Sequence, residues 1–213
     1  MFVARGSRPL QARAGALALC LALSLLPAPA CRAGIDHVVP YDDSGIWART
    51  NQEVLLYGLI AGEVVGAVWA GGESRFGHTM WQSIDSSVGA GLAAWVLQIA
   101  TSRVRPRDSP DPNLWFQGKP NTSFPSGEVT AVSSIITPPV LEYGHQYPLV
   151  YALELLPIYD AIARVKVQAH WQTDVIAGYA LGTAFGIWAH GNPNPFILRV
   201  MPHAIYIGIS KKF

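Results

Sequence analysis

The chain reads as an all-α protein, a bundle of five to six helices, on three observations. Apolar stretches of helical length recur along it, separated by segments rich in Gly, Pro, Asn and charge. Small residues repeat at a spacing of four, Gly58, Gly62 and Gly66 in one stretch and Gly178, Gly182 and Gly186 in another. That spacing puts each set on one helix face, where backbones can approach closely, and both are read as packing faces. Half of the residues are hydrophobic and only 14% are charged, so ionisable groups are scarce and those gathered at element ends need a reason.

The first 33 residues contain Arg5, Arg8, Arg13 and Arg32 and no acid, with an apolar core over 14–26 followed by small residues and prolines. This is the pattern of a secretory signal, cleaved after Ala30 or Ala33, or retained as an uncleaved first helix. A lipoprotein site at Cys31 is the weaker reading, because Ala28 stands where leucine is usual. Residues 34–213 then form a single domain. Both cysteines, Cys20 and Cys31, fall in the leader, which leaves no internal disulfide. Four of the fifteen basic residues fall there too, so the remainder is acidic by three charges and nucleic acid is excluded as a partner.

The apolar stretches predict helices over 54–70, 87–100, 129–141, 149–165 and 175–189. Glu63, Glu142, Glu154 and Asp160 lie in or beside them and Pro157 interrupts the fourth, so a membrane-spanning bundle and a soluble one both remain open. The longest connection, 103–125, is rich in Pro and carries Trp115 and Phe116; it is read as a lid or substrate entrance, or else a solvated connector. The tail over 204–213 alternates like a strand and is read as a terminal packing or surface segment.

Three blocks carry the chemistry. Arg105-Pro106 ends the second apolar run, and a guanidinium fork matches two oxygens of a phosphoryl group. Pro125-Ser126-Gly127-Glu128 opens the third helix, where unpaired backbone N–H groups and a glycine make an anion cradle. Arg164 precedes His170 by six residues, and Asp174 follows it by four on the same helical face. A carboxylate beside an imidazole holds one ring nitrogen as donor and frees the other to attack. Taken singly, the first two blocks are also explained as an ordinary helix end and a capping turn. His37, His78, His145, His190 and His203 are scattered and read as structural or solvated.

In these blocks the chain resembles the type 2 phosphatidic acid phosphatase and vanadium haloperoxidase superfamily, whose signature is Lys-x6-Arg-Pro, Pro-Ser-Gly-His and Ser-Arg-x5-His-x3-Asp in that order. The resemblance covers roughly 58–190. It implies the all-α phosphatase-like bundle, with His170 as nucleophile forming a phosphohistidine, Asp174 orienting it, and Arg105, Ser126, Gly127 and Arg164 holding the phosphoryl oxygens. It implies no metal and no cofactor. The chain departs from the signature at three positions. Gln98 replaces the lysine, for which Arg103 or Lys119 could substitute; Ala163 replaces the serine; and Glu128 replaces the histidine that protonates the leaving group. Glu128 becomes the candidate acid, and later an activator of the hydrolytic water.

The implied activity is a phosphatase acting on a lipid phosphate monoester or pyrophosphate, exported to a bacterial cell envelope. Helix alternation puts all three blocks on the periplasmic side of the inner membrane, a soluble periplasmic bundle being the alternative. A non-catalytic phosphate- or lipid-binding membrane protein is the competing reading. Vanadate-dependent haloperoxidase chemistry is disfavoured by the small apolar chain and by Glu128.

Overall fold

The computed structural model describes residues 34–118, 120–193 and 195. The leader, the tail over 204–213, Lys119 and His203 lie outside the described residues. Five α-helices follow one another: α1 (Arg49–Ala70), α2 (Arg75–Thr101), α3 (Gly127–Tyr143), α4 (Leu155–Lys166) and α5 (Gln172–His190). Short 3-10 turns precede α1 (Gly45–Trp47) and α4 (Pro148–Glu154). Among the described residues there is no strand, and the all-α bundle is as expected.

Two boundaries moved furthest, each for a physical reason. α2 begins at Arg75, twelve residues before its apolar run, capped by Ser74, whose hydroxyl accepts from the Gly77 N–H at 3.0 Å. Its first half carries Thr79, Gln82, Ser83, Asp85 and Ser86, all buried, so the polar face points inward and conceals the helix from a search for apolar runs. The stretch expected as one helix over 149–165 is split, with a 3-10 turn to Glu154 and α4 proper from Leu155. Pro157 then falls in the first turn of α4, where its missing N–H leaves no intrahelical bond broken.

α3 and α5 form the centre. Gly178, Gly182 and Gly186 all lie against α3, where an added Cβ would meet Ser126 O at 2.6 Å, the Ser133 hydroxyl and the Thr137 side chain in turn. The hydroxyls at this seam are satisfied within α3, Thr130 donating to Ser126 O at 2.7 Å and Thr137 to Ser133 O at 2.8 Å. The other glycine stripe behaves differently. Gly66 packs on Met80 and Phe76, but a Cβ at Gly58 or Gly62 would meet nothing within 4 Å, so these two lie on the outer surface and not in a packed interface.

Apolar packing fills the flanks. Val132, Ile136 and Val140 of α3 pack with Leu56 and Leu59 of α1 and with Val150, Leu153 and Leu156, while Ala94 and Leu97 of α2 meet Leu181 and Phe185 of α5. Large apolar side chains also cover the outside, among them Val65, Val68 and Trp69 of α1 and Leu92, Trp95 and Val96 of α2, all more than half exposed. The bundle is thus polar within and apolar without over much of its girth. Among the described residues α1 is the helix long and apolar enough to cross a membrane.

Candidate active site at the loop end of the bundle

The start of α1, the end of α2, the start of α3, the end of α4 and the start of α5 meet at one end of the bundle, and the three sequence blocks meet with them. Gln98, Arg105, Gly127, Glu128, Arg164 and His170 line a cavity of about 280 Å³ whose apolar wall is Leu56, Ile60 and Ala131.

His170 sits in the turn between α4 and α5 and is 3% exposed. Its Nδ1 lies 2.7 Å from the backbone oxygen of Ser123, a geometry that makes Nδ1–H the donor and leaves Nε2 unprotonated. Burial is the main force pushing the His170 pKa below that of an ordinary imidazole; the positive charges of Arg105 and Arg164 push the same way, against Asp174. The ring is therefore neutral at pH 7, as a nucleophile requires.

Asp174 lies 3.7 Å from His170 Nδ1, beyond hydrogen-bond range, and its carboxylate is engaged elsewhere. Oδ1 accepts from Arg103 at 2.5 Å, and Oδ2 accepts from the Ser123 hydroxyl at 2.5 Å and the Trp171 N–H at 2.9 Å. It thereby fixes the two backbone segments that hold the ring, Ser123 on one side and Trp171 on the other.

The cations are gathered around the cavity. Arg105 is anchored by donating to Ala169 O at 3.1 Å and Thr122 O at 3.2 Å, and has no carboxylate within ion-pair distance among the described residues. Burial lowers its pKa, and the neighbouring charges of Arg107 and Arg164 add to the effect. Arg164 is 7% exposed and donates from Nη1 to Gln52 at 3.0 Å, while its buried Nε has no partner. The Ser126 hydroxyl is likewise buried without a partner, although Ser126 occupies the N-cap position of α3. The unpaired Arg164 Nε, in a cavity shared with the Arg105 guanidinium, suits a multivalent oxyanion; Ser126 is not among the lining residues but adjoins one of them, Gly127.

Glu128, the second residue of α3, faces Arg164 and a further cation, Arg49, the first residue of α1. Its Oε2 accepts from Arg49 Nη1 at 2.6 Å and its Oε1 lies 3.5 Å from Arg164. Burial alone would raise its pKa, but the Arg49 hydrogen bond and the charges of Arg164, Arg49 and His170 outweigh it and hold the carboxyl below the usual range.

A profile of the PAP2 superfamily matches residues 80–196, more than half of the chain. The chain belongs to the PAP2 superfamily. Among solved structures it is similar to a transmembrane PAP2-type phosphatidylglycerolphosphate phosphatase from Bacillus subtilis, at 20% identity, covering 86% of this chain and 87% of that one, with a TM-score of 0.46. No curated protein matches the chain.

The departures from the PAP2 signature acquire a structural meaning. Gln98 donates from Nε2 to Pro125 O at 3.0 Å, so a neutral amide closes the serine loop where the superfamily has a cation. Arg103 does not take over that lysine's place, being committed to Asp36 and Asp174. Ala163 is fully buried. Sequence reasoning missed Arg49, Gln52, Ser123 and Asp36. Only Arg49 left a signal, as a lone cation before the first apolar run. The loop over 103–125 is tied back on the end of α2, with Phe116 N–H donating to Thr101 O at 2.6 Å and Ser123 N–H to Arg103 O at 3.0 Å. Trp115 lies over Arg103 at 4.3 Å, and Phe116 projects from the rim. His78 and His190 line a separate cavity of about 600 Å³ at the opposite end of the bundle.

Proposed function

We propose that this PAP2 protein is a phosphatase that cleaves a lipid phosphate monoester or pyrophosphate through a phosphohistidine on His170. The observation that carries the reading is a neutral, buried imidazole with Nδ1 bound to a backbone carbonyl, opening on a cavity lined by Arg105 and Arg164 together with the apolar Leu56 and Ile60. In the first step Nε2 attacks phosphorus and the ester or anhydride oxygen departs with its bonding pair. Arg105, Arg164, the Ser126 hydroxyl and the N–H of Gly127 hold the equatorial oxygens as charge spreads over them. In the second step water attacks the phosphohistidine, gives its proton to Glu128, and inorganic phosphate leaves with Nε2 free again.

The two arginine partners of Glu128 support that second role better than the role of acid. An ionised carboxylate can take a proton from water but has none to give to an alkoxide. A pyrophosphate, whose leaving group is a stable anion, suits such a site better than a monoester.

The apolar cavity wall and the apolar exterior of α1 support a lipid substrate and a membrane setting. In the proposed arrangement residues 34–213 form one exported domain, with the loop end on the periplasmic face of the inner membrane. The decisive experiment is phosphate release from lipid phosphates and pyrophosphates by wild type and His170→Ala, with acid-quenched samples examined for acid-labile phosphate on His170. Full activity in His170→Ala would overturn the scheme.

A further inference from the structure

The segment that precedes α1 contributes to the site. Asp36 accepts from the Thr173 N–H at 2.8 Å through Oδ1, and from the Thr173 hydroxyl and Arg103 Nη2, both at 2.6 Å, through Oδ2. His37 exchanges two hydrogen bonds with the Gln172 side chain, at 3.0 and 2.9 Å. Gln168 donates to Val39 O at 2.7 Å, and the Asp42 N–H donates to Lys166 O at 3.0 Å. The strap over 36–42 is thus bonded to the chain on both sides of His170.

Its inner anchor is Arg103, 1% exposed and lying over Trp115 at 4.3 Å and Trp171 at 5.4 Å. One guanidinium joins two carboxylates, Asp36 at 2.6 Å and Asp174 at 2.5 Å. Asp174 in turn fixes Ser123, whose carbonyl holds His170 Nδ1. The path from strap to nucleophile runs Asp36, Arg103, Asp174, Ser123, His170, and each link is a hydrogen bond within 2.7 Å. Asp36 and Arg103 do not line the cavity. A buried cation shared by two carboxylates is sensitive to the loss of either one, because the remaining partner must then satisfy the whole fork.

We infer that Asp36 is a positioning residue for the phosphoryl-transfer site, acting through Arg103 and Asp174 to hold the His170 ring in its attacking orientation. The inference rests on the phosphatase reading above. A ring displaced by about 1 Å loses on the order of 10²-fold in rate. Substrate contacts at Arg105 and Arg164 are untouched, so the loss falls on kcat and leaves KM in place.

The test compares wild type, Asp36→Asn, Arg103→Gln and the double variant in detergent micelles, with kcat and KM for phosphate release and the His170 Hδ1 resonance in histidine-labelled protein. Asp36→Asn is expected to lower kcat ten- to hundredfold at unchanged KM, with the Hδ1 signal shifted or broadened while the amide spectrum stays folded. The double variant should be no worse than the more damaged single. Should Asp36→Asn not fold, Thr173→Val removes the hydroxyl that donates to Asp36 and accepts from Arg103 at 2.8 Å while keeping both charges, and is expected to lower kcat several-fold. Wild-type kcat and an unmoved His170 resonance in whichever variant folds would overturn the inference. If wild type releases no phosphate, the phosphatase reading fails instead, and the resonance still tests whether the strap positions the ring.

Discussion

Replacing Glu128 by Gln separates the two roles open to that side chain. The amide is nearly isosteric but leaves Arg49 and Arg164 facing a neutral group, and it can neither take nor give a proton. Losing the charge-assisted 2.6 Å bond to Arg49 costs stability about 1–2 kcal/mol, at the low end because Arg49 is about a third exposed. The catalytic loss is larger, since a positioned proton-transfer group contributes about 10²–10⁴-fold, or about 3–5 kcal/mol of barrier. Which step bears it depends on the leaving group. An aryl phosphate expels a stable anion and needs no acid, so Glu128→Gln should form the phosphoenzyme normally and then stall. Stopped flow should show a burst of about one phenolate per site followed by turnover slowed at least a hundredfold. An alkyl monoester, limited by the first step, should be slowed far less. The opposite pattern, with the alkyl ester lost, the aryl ester spared and no burst, would refute the base role and make Glu128 the proton donor.

The other expectations can be stated briefly. The proposed scheme makes neutral His170 the attacking form, and burial lowers its pKa, so kcat/KM should stay flat as pH falls through the ordinary imidazole value of about 6.5 and decline only below it; an acid limb at or above that value refutes the assignment. The same shift makes folding stability fully present above about pH 6.5 and progressively lost below it, as the unfolded chain takes the proton that the folded ring resists; denaturant unfolding against pH measures this. Gly182→Ala should destabilise by about 1–3 kcal/mol, since its Cβ would strike the Ser133 hydroxyl and Thr130 O, whereas Gly58→Ala should cost nothing; equal losses in both would contradict the contrast between the glycine stripes.

The legible part of the site was the part built from short, spaced motifs. Arg105, Ser126, Arg164, His170 and Asp174 stand beside helix ends, and ends of antiparallel helices come together whatever the detailed packing. The roles of Arg49 and Asp36 were not legible, although Arg49 stood out as a lone cation, because each acts through a partner distant in sequence, Glu128 79 positions on and Arg103 67 positions on. The expected helices were correct in number and order. Their starts were misjudged wherever polar side chains face inward, as along the first half of α2, because a search for apolar periodicity assumes a core drier than its surface. The same inversion explains the glycine stripe on α1, whose spacing alone does not say whether Gly58 and Gly62 face a neighbouring helix or the outside.

That inversion also bears on how a substrate would reach His170. Leu56 and Ile60 form the cavity wall, and Ile60, Val64 and Val68 continue at spacings of four along the exposed face of α1. From Leu56 to Val68 the stripe runs about 18 Å along the helix. A phosphate seated between Arg105 and Arg164 would leave its apolar tail against this stripe, so the tail need not pass the loops at the rim. Ile60→Ser tests the idea without touching a charged group. Losing the contact of one aliphatic side chain weakens binding by about 1–2 kcal/mol, which raises KM for a long-chain lipid phosphate about five- to thirtyfold. A short soluble ester, which never touches α1 beyond the cavity, should keep its KM, and kcat should hold for both. An equal rise in KM for the two substrates would mean that Ile60 shapes the cavity and that the tail lies elsewhere.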